Sequence, residues 1–213
     1  YGDHRDLHSF PTRRSPILFA DFPYLYDGDF AYERRYLEPY RANDGAIVVG
    51  AFEGDRLVGA ATGMPLMGHS DDFAAAFADS EIDLGDVFYC AESVLLPEFR
   101  GRGIGHAFFE AREAHARKLG FGKVAFCAVV RGEHPMEPKG YRPLDPFWRG
   151  RGYVPLEGVI AQFRWRDLGE DAESSKALQF WLRQRPAHSS CKWVHKWTAP
   201  RSHRLCGRSV RAI

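Results

Sequence analysis

The chain has 213 residues, of which 45% are apolar and 27% charged, with a formal net charge of +1. That suffices for one domain with a sizeable core, and no run approaches the ~20 apolar residues of a membrane span. The near neutrality hides a division: residues 16–173 carry 17 Lys plus Arg against 26 Asp plus Glu, while residues 174–213 carry nine Lys or Arg and no acid. An acidic body argues against general nucleic-acid binding, which needs clustered cations to displace counterions, leaves only the basic tail for it, and gives slight weight to a cationic partner.

Residues 1–15 (YGDHRDLHSFPTRRS) resemble the translation of a DNA-sequencing adapter, show no periodicity, and are set aside as a non-native segment. Residues 30–40 read as a helix with Arg34, Arg35 and Glu38 on its polar side, ended by Asn43-Asp44-Gly45. Residues 46–52 and 57–64 read as strands joined by a hairpin turn over Glu53-Gly54-Asp55-Arg56. A short helix follows over 71–78, with Ser70 as its N-cap and carboxylates in its first turn. Residues 87–96 (VFYCAESVLL) are apolar and β-prone and are ended by Pro97. Beyond them lies Arg100-Gly101-Arg102-Gly103-Ile104-Gly105, then an amphipathic helix over 104–119 with Ile104, Phe108, Ala111, His115 and Leu119 on one side. Gly120 closes that helix. A strand over 123–131, a Pro-rich loop, a short helix around 145–149 and a strand over 159–165 complete the pattern. Hairpins combined with a crossover helix specify an α/β chain of the α+β type, a mixed sheet flanked by helices. The body spans residues 16–183, and 184–213 reads as a disordered or non-native basic tail, since its residues lack any period.

Cys90 and Cys127 fall in strands and are expected to be reduced and buried. Neither has a histidine beside it in sequence, so neither is expected to be a nucleophile. In the tail, Cys191, His195, His203 and Cys206 mimic zinc spacing, but no structured knuckle surrounds them and no metal is expected.

The glycine loop carries the functional information. A turn between a strand and a helix N-terminus aims unpaired N–H groups at one point and attracts phosphate, and glycine lets the ligand approach the backbone. A Walker A loop is excluded, because no Lys-Ser or Lys-Thr follows. A dinucleotide fingerprint fails at its third glycine, which is His106. What fits is R-x-x-G-x-G, formed by Arg100, Gly103 and Gly105.

This loop resembles the coenzyme A pyrophosphate loop of the GNAT superfamily of N-acetyltransferases. The strand ending in Leu95-Leu96-Pro97-Glu98-Phe99, the long helix, the second strand, and Phe147-Trp148-x-x-x-Gly152-Tyr153 resemble that family in the same order. The resemblance covers roughly residues 21–167. It implies a mixed, mostly antiparallel sheet flanked by helices, and acetyl-coenzyme A as co-substrate. The pyrophosphate would sit on Arg100, Gly101, Arg102, Gly103, Ile104, Gly105 and His106. Backbone at Val94, Leu95 and Leu96 would bind the pantetheine arm, with Trp148 nearby. The oxyanion donor maps to Val94 or Leu95. The implied reaction is acetyl transfer to a primary amine of a small or amino-acid-like acceptor by direct attack in a ternary complex. The alternative is a non-catalytic acyl-coenzyme A binding or sensing module.

An amine nucleophile must lose a proton, so a base is required. Period two places Phe88, Cys90, Glu92 and Val94 on one face, which makes Glu92 a carboxylate on an apolar surface. It occupies the position of the family's catalytic Glu; the competing reading pairs it with Arg131 or Arg142. Trp148 stands where the family carries its acidic Tyr, so Tyr141 is expected to serve as general acid, with Tyr153, His134 or water as alternatives. Tyr24, Tyr26, Asp27, Asp29 and Glu33 occupy the segment that walls the acceptor pocket in the family. The expected location is cytoplasmic, and a homodimer is admitted. The family fold begins with a strand and helix that are expected to be missing here, so residues 46–52 are expected to form an unpaired sheet edge.

Overall fold

The computed structural model describes residues 19–27, 30–69, 73–184 and 208–212. The expectations on residues 1–15, on Asp29, on Ser70 as a cap, and on the Cys191, His195, His203 and Cys206 set lie outside the described residues, as does the side chain of Glu33.

The elements run α1 (Phe30–Ala42), β1 (Ile47–Glu53), β2 (Arg56–Pro65), β3 (Val87–Leu95), α2 (Ile104–Lys118), β4 (Lys123–Val129), α3 (Asp145–Gly150), β5 (Val154–Trp165), β6 (Ser174–Gln184) and β7 (Arg208–Ala212). They build one seven-stranded sheet in the order β5-β6-β4-β3-β2-β1-β7. Only β3 and β4 pair in parallel; every other neighbour is antiparallel. That parallel pair requires a crossover, and α2 supplies it. Among the described residues no helix is long and apolar enough to cross a membrane.

Alternation along the strands divides the core between the sheet's two faces. Phe88, Cys90, Val124 and Phe126 pack under α2 against Phe109, Ala116, Tyr153 and Trp181. Val87, Tyr89, Ala125 and Phe180 pack on the opposite side against Phe73 and Phe77. Glu113 of α2 is buried, and three donors meet it: Tyr153 Oη at 3.0 Å, Arg151 Nη2 at 2.9 Å and Arg183 Nη1 at 2.8 Å. The carboxylate thereby ties α2 to β6 and to the segment between α3 and β5. Such a burial is tolerable only because cations neutralise it.

Within the segment that reads on sequence as a disordered or non-native tail, residues 208–212 form β7, paired along β1 from Val49↔Ala212 to Glu53↔Arg208. The edge of β1 is therefore covered rather than open. Val210 packs into the cluster of Val49, Ala51 and Val58, and the Arg211 guanidinium lies 4.4 Å from the Phe52 ring centroid. One inward valine between outward Ser209 and Arg211 is enough to use the edge, yet too short to register as periodicity in the sequence.

Candidate functional site

The site begins where two strands part. β3 and β4 pair only at Val87↔Lys123, Phe88↔Val124 and Tyr89↔Ala125. Past that point β3 follows β2 and β4 follows β6, so a gap opens between them with backbone donors and acceptors along its sides. An extended chain with amide groups can enter such a gap as a strand would.

The glycine loop stands at the mouth of this gap. Gly101 and Gly103 have φ of +70° and +82°, and Gly103 is the residue preceding α2. A side chain at Gly103 would be strained, and a left-handed glycine there provides no capping oxygen. The N-terminus of α2 accordingly has no side-chain cap and no acid in its first turn. Its N–H groups and the positive end of the helix dipole suit a phosphate. Arg100 turns back to the fold: Nε donates to the Leu95 carbonyl at 3.2 Å and Nη2 to Asp21 at 2.6 Å. Arg102 lies over the Phe99 ring at 5.4 Å, and His106 packs on Phe147 with its Nδ1 3.1 Å from Arg151 Nη1. Ile104 is buried beside Phe99 and Phe108, with Leu95 and Leu96 against the same cluster.

Along β3 the structure corrects the face assigned to Glu92. Ala61 faces Ser93 and Gly63 faces Cys90, so Thr62 alone opposes both Ala91 and Glu92. This is a β-bulge, and the extra residue reverses the alternation beyond it. Phe88 and Cys90 point into the helix-side core, whereas Tyr89, Glu92 and Val94 line a cavity on the opposite face. The bonds of Glu92 N–H to Thr62 Oγ1 (3.1 Å) and of Leu96 N–H to the Val58 carbonyl (3.0 Å) both run toward β2. Alternation between them turns the N–H of Val94 toward β2 and those of Ser93 and Leu95 toward the gap. Of the two expected oxyanion donors, Leu95 is the one so directed.

The cavity is about 630 Å³, and Tyr24, Tyr26 and Asp27 line it as expected. Tyr36, His69 and Trp165 also contribute to its walls. Tyr141 does not line it; its ring stands edge-on to Phe22 at 4.7 Å. Trp148 belongs to the helix-side cluster, 5.0 Å from Phe126 and 5.1 Å from Trp181 between ring centroids. Sequence reading missed the group behind Glu92, where Tyr40 Oη lies 2.8 Å from His69 Nε2 and Tyr36 stacks on the same imidazole. Tyr36 and Tyr40, four apart on α1, carried the available signal. Arg131, a suggested partner of Glu92, is instead engaged with Asp167 through two hydrogen bonds.

Burial raises the phenols of Tyr24, Tyr36 and Tyr40 well above their usual range, and the Glu92 charge adds to each rise. These groups remain neutral hydrogen-bond donors at ordinary pH. Burial pushes Cys90 up to about 11 and Cys127 up to about 12. Both thiols stay protonated near neutrality, as suits core residues and not nucleophiles.

A family model described as the Acetyltransferase (GNAT) family matches residues 14–137. No curated protein matches the chain in sequence. Among solved structures, ribosomal-protein-alanine N-acetyltransferase from Brucella melitensis superimposes with a TM-score of 0.51 at 13% identity, covering 82% of this chain and 91% of that one. A GCN5-related N-acetyltransferase from Kribbella flavida also gives 0.51, at 15% identity over 82% and 89% of the two chains. Phosphinothricin acetyltransferase from Sinorhizobium meliloti, solved with acetyl-coenzyme A, gives 0.50 at 17% identity over 81% and 82%.

Proposed function

The chain belongs to the GNAT family of acetyltransferases, and from that premise we propose that it moves the acetyl group of acetyl-coenzyme A to the primary amine of a small molecule. The observation that carries this reading is the continuity of the site. Val94 of β3 and Cys127 of β4 line the cavity holding Glu92 from the two sides of the gap, and β3 runs on toward the glycine loop and the uncapped N-terminus of α2. A phosphate-anchored thioester and an amine would therefore meet at the bulge.

The residues fit that co-substrate. The loop from Gly101 to His106 would take the pyrophosphate, and the gap-facing backbone of β3 would pair with the pantetheine amides. Acetyl-coenzyme A supplies an activated carbonyl whose leaving thiolate is a weak base. Glu92 would accept the proton of the entering ammonium, and the attack would then proceed directly within a ternary complex. The N–H of Leu95 faces the side where negative charge develops on the carbonyl oxygen. Tyr141 is not among the residues lining the cavity, so the departing thiolate, with a free-thiol pKa near ~8.5, would take up through water the second proton that the attacking nitrogen loses as the amide forms.

Thiol release from acetyl-coenzyme A with a panel of small amines and amino acids tests the proposal. Turnover that saturates in an amine is the expected result. Tight acetyl-coenzyme A binding with no turnover on any amine would replace it with a non-catalytic binding module.

A further inference from the structure

We infer that Arg112, reaching through the sheet from the face opposite the cavity, is the positioning residue that holds Glu92 in place; this rests on the reading of Glu92 as the base. Arg112 stands on α2 and is 1% exposed. Its Nε donates to the Phe108 carbonyl at 3.2 Å, which fixes the side chain along its own helix. Its Nη1 donates to two carbonyls, Thr62 O and Glu92 O, each at 3.1 Å. Those residues face each other across the bulge. Two residues against one leave the bulge with more backbone acceptors than the ladder can satisfy, and one guanidinium nitrogen serves both strands. The Phe109 ring lies 4.8 Å beneath the guanidinium carbon and supports its planar orientation.

A buried cation is an expensive way to fill space. Taking it out of water costs several kcal/mol, and apolar replacements at such positions are often neutral or better for stability. Here the cost is not even fully offset, since Arg112 Nη2 is buried without a hydrogen-bond partner among the described residues. The arrangement is intelligible through what the bulge does. Without the extra residue, regular alternation would return Glu92 to the face of Phe88 and Cys90, away from the cavity. Arg112 holds the register that keeps the carboxylate on the cavity side. It also acts on the peptide joining Glu92 and Ser93: a cation on that carbonyl polarises the Ser93 N–H, which faces the gap.

Arg112→Met preserves length and removes every donor. The expected result is a fall in kcat of at least about a hundredfold, with acetyl-coenzyme A affinity within threefold of wild type. Arg112→Lys, whose ammonium can reach both carbonyls, should recover at least about tenfold of that loss. The deciding measurement is the cycle with Glu92→Gln: if Arg112 acts through Glu92, Arg112→Met should cost less than about threefold in the Glu92→Gln background. Losses that multiply in the double variant, or a kcat for folded Arg112→Met within threefold of wild type, would overturn the inference while leaving Glu92 as the base. Glu92→Gln retaining more than a third of wild-type turnover would instead remove the base itself, and the inference with it. Should Arg112→Met not fold, the same cycle run with Arg112→Gln is decided by the same comparison.

Discussion

Arg131 and Asp167 meet at two points, Nη1 to Oδ2 at 2.6 Å and Nη2 to Oδ1 at 2.9 Å, with their side chains 11% and 2% exposed. The same guanidinium donates to the carbonyls of Pro23 and Tyr24, and Trp165 Nε1 donates to Asp167 at 2.9 Å. Lys176 Nζ completes the group at 3.0 Å from Asp167. The segment bearing Tyr24 and Tyr26 has little regular structure, and this cluster is what fastens it over the cavity.

Asp167→Asn should therefore affect both fold and acceptor site. It leaves the buried Arg131 without its counter-charge and Lys176 with Glu170 alone, a change on the order of 3 kcal/mol. The KM for the amine should rise more than the Kd for acetyl-coenzyme A, because the described link from this wall to the glycine loop is the half-exposed Asp21–Arg100 pair. Burial pushes the Asp167 carboxyl up, but the hydrogen bonds from Arg131 and Lys176 outweigh it and hold it below the ordinary 3.8. A folded-state pKa that is depressed adds stability that is complete above the unfolded value and fades as pH falls through the folded one. Denaturant melts of the wild type should weaken below about pH 4. Asp167→Asn should lack that component; identical pH slopes for the two proteins would show that the cluster contributes nothing measurable.

At the glycine loop, fold and ligand should respond in opposite directions. A Cβ at Gly105 would meet only Phe147 Cζ, at an ordinary 3.8 Å, and no acid now occupies the first turn of α2. Gly105→Glu should leave the melting temperature unchanged or raise it, since a carboxylate at a helix N-terminus contributes ~0.3–1 kcal/mol. The same carboxylate would occupy the phosphate position and lower acetyl-coenzyme A affinity at least tenfold. Gly103 is a poorer probe, because its φ of +82° makes any side chain strained. Calorimetry giving Gly105→Glu near wild-type affinity would remove the loop from the binding site.

Trp148 is packed between Phe126 and Trp181, on the helix side of the sheet. Trp148→Phe should cost about 1–2 kcal/mol in stability as packing is lost, with kcat unchanged. A kcat that falls in a folded variant with normal acetyl-coenzyme A affinity would give the indole a part in the reaction.

The elements most readily read from sequence were those whose signal is local. The periodicity of Ile104, Phe108 and Ala111 marks α2, and Gly54-Asp55 marks the β1–β2 turn. Arg100 to Gly105 marks the glycine turn before α2, and Arg100 itself braces Leu95 and Asp21. Period two puts Glu92 on the wrong face, because a one-residue bulge changes no composition and leaves the alternation apparently intact. Arg112 reads as an ordinary polar residue on a helix until Thr62 and Glu92 come within reach of it. Arg131 and Asp167 are 36 residues apart and are joined only by tertiary structure. Tyr141 is expected from chemical type alone, which fixes no distance to the cavity.

The strand β7 gives the sharpest reversal. A chain stopped after Gln184 loses the tail that reads on sequence as disordered or non-native. The pairing of β7 makes that loss costly. β7 pairs with β1 from Val49 to Glu53 and lays Val210 on the cluster of Val49 and Ala51. Removing it exposes a row of backbone donors and acceptors flanked by apolar side chains, a template for pairing with another chain. Loss of the Val210 contact alone should cost about 1.5 kcal/mol, and the open edge should promote association that grows with concentration. The glycine loop and Glu92 stand on other strands and loops, so freshly prepared truncated protein should still bind acetyl-coenzyme A. Val210→Lys, which keeps the backbone pairing and loses the apolar contact, should fall between the two. Sedimentation velocity and thermal melts across a concentration series would check this. Truncated protein that sediments like the full chain at every concentration, with an unchanged melting temperature, would show that β1 does not depend on β7 for its cover.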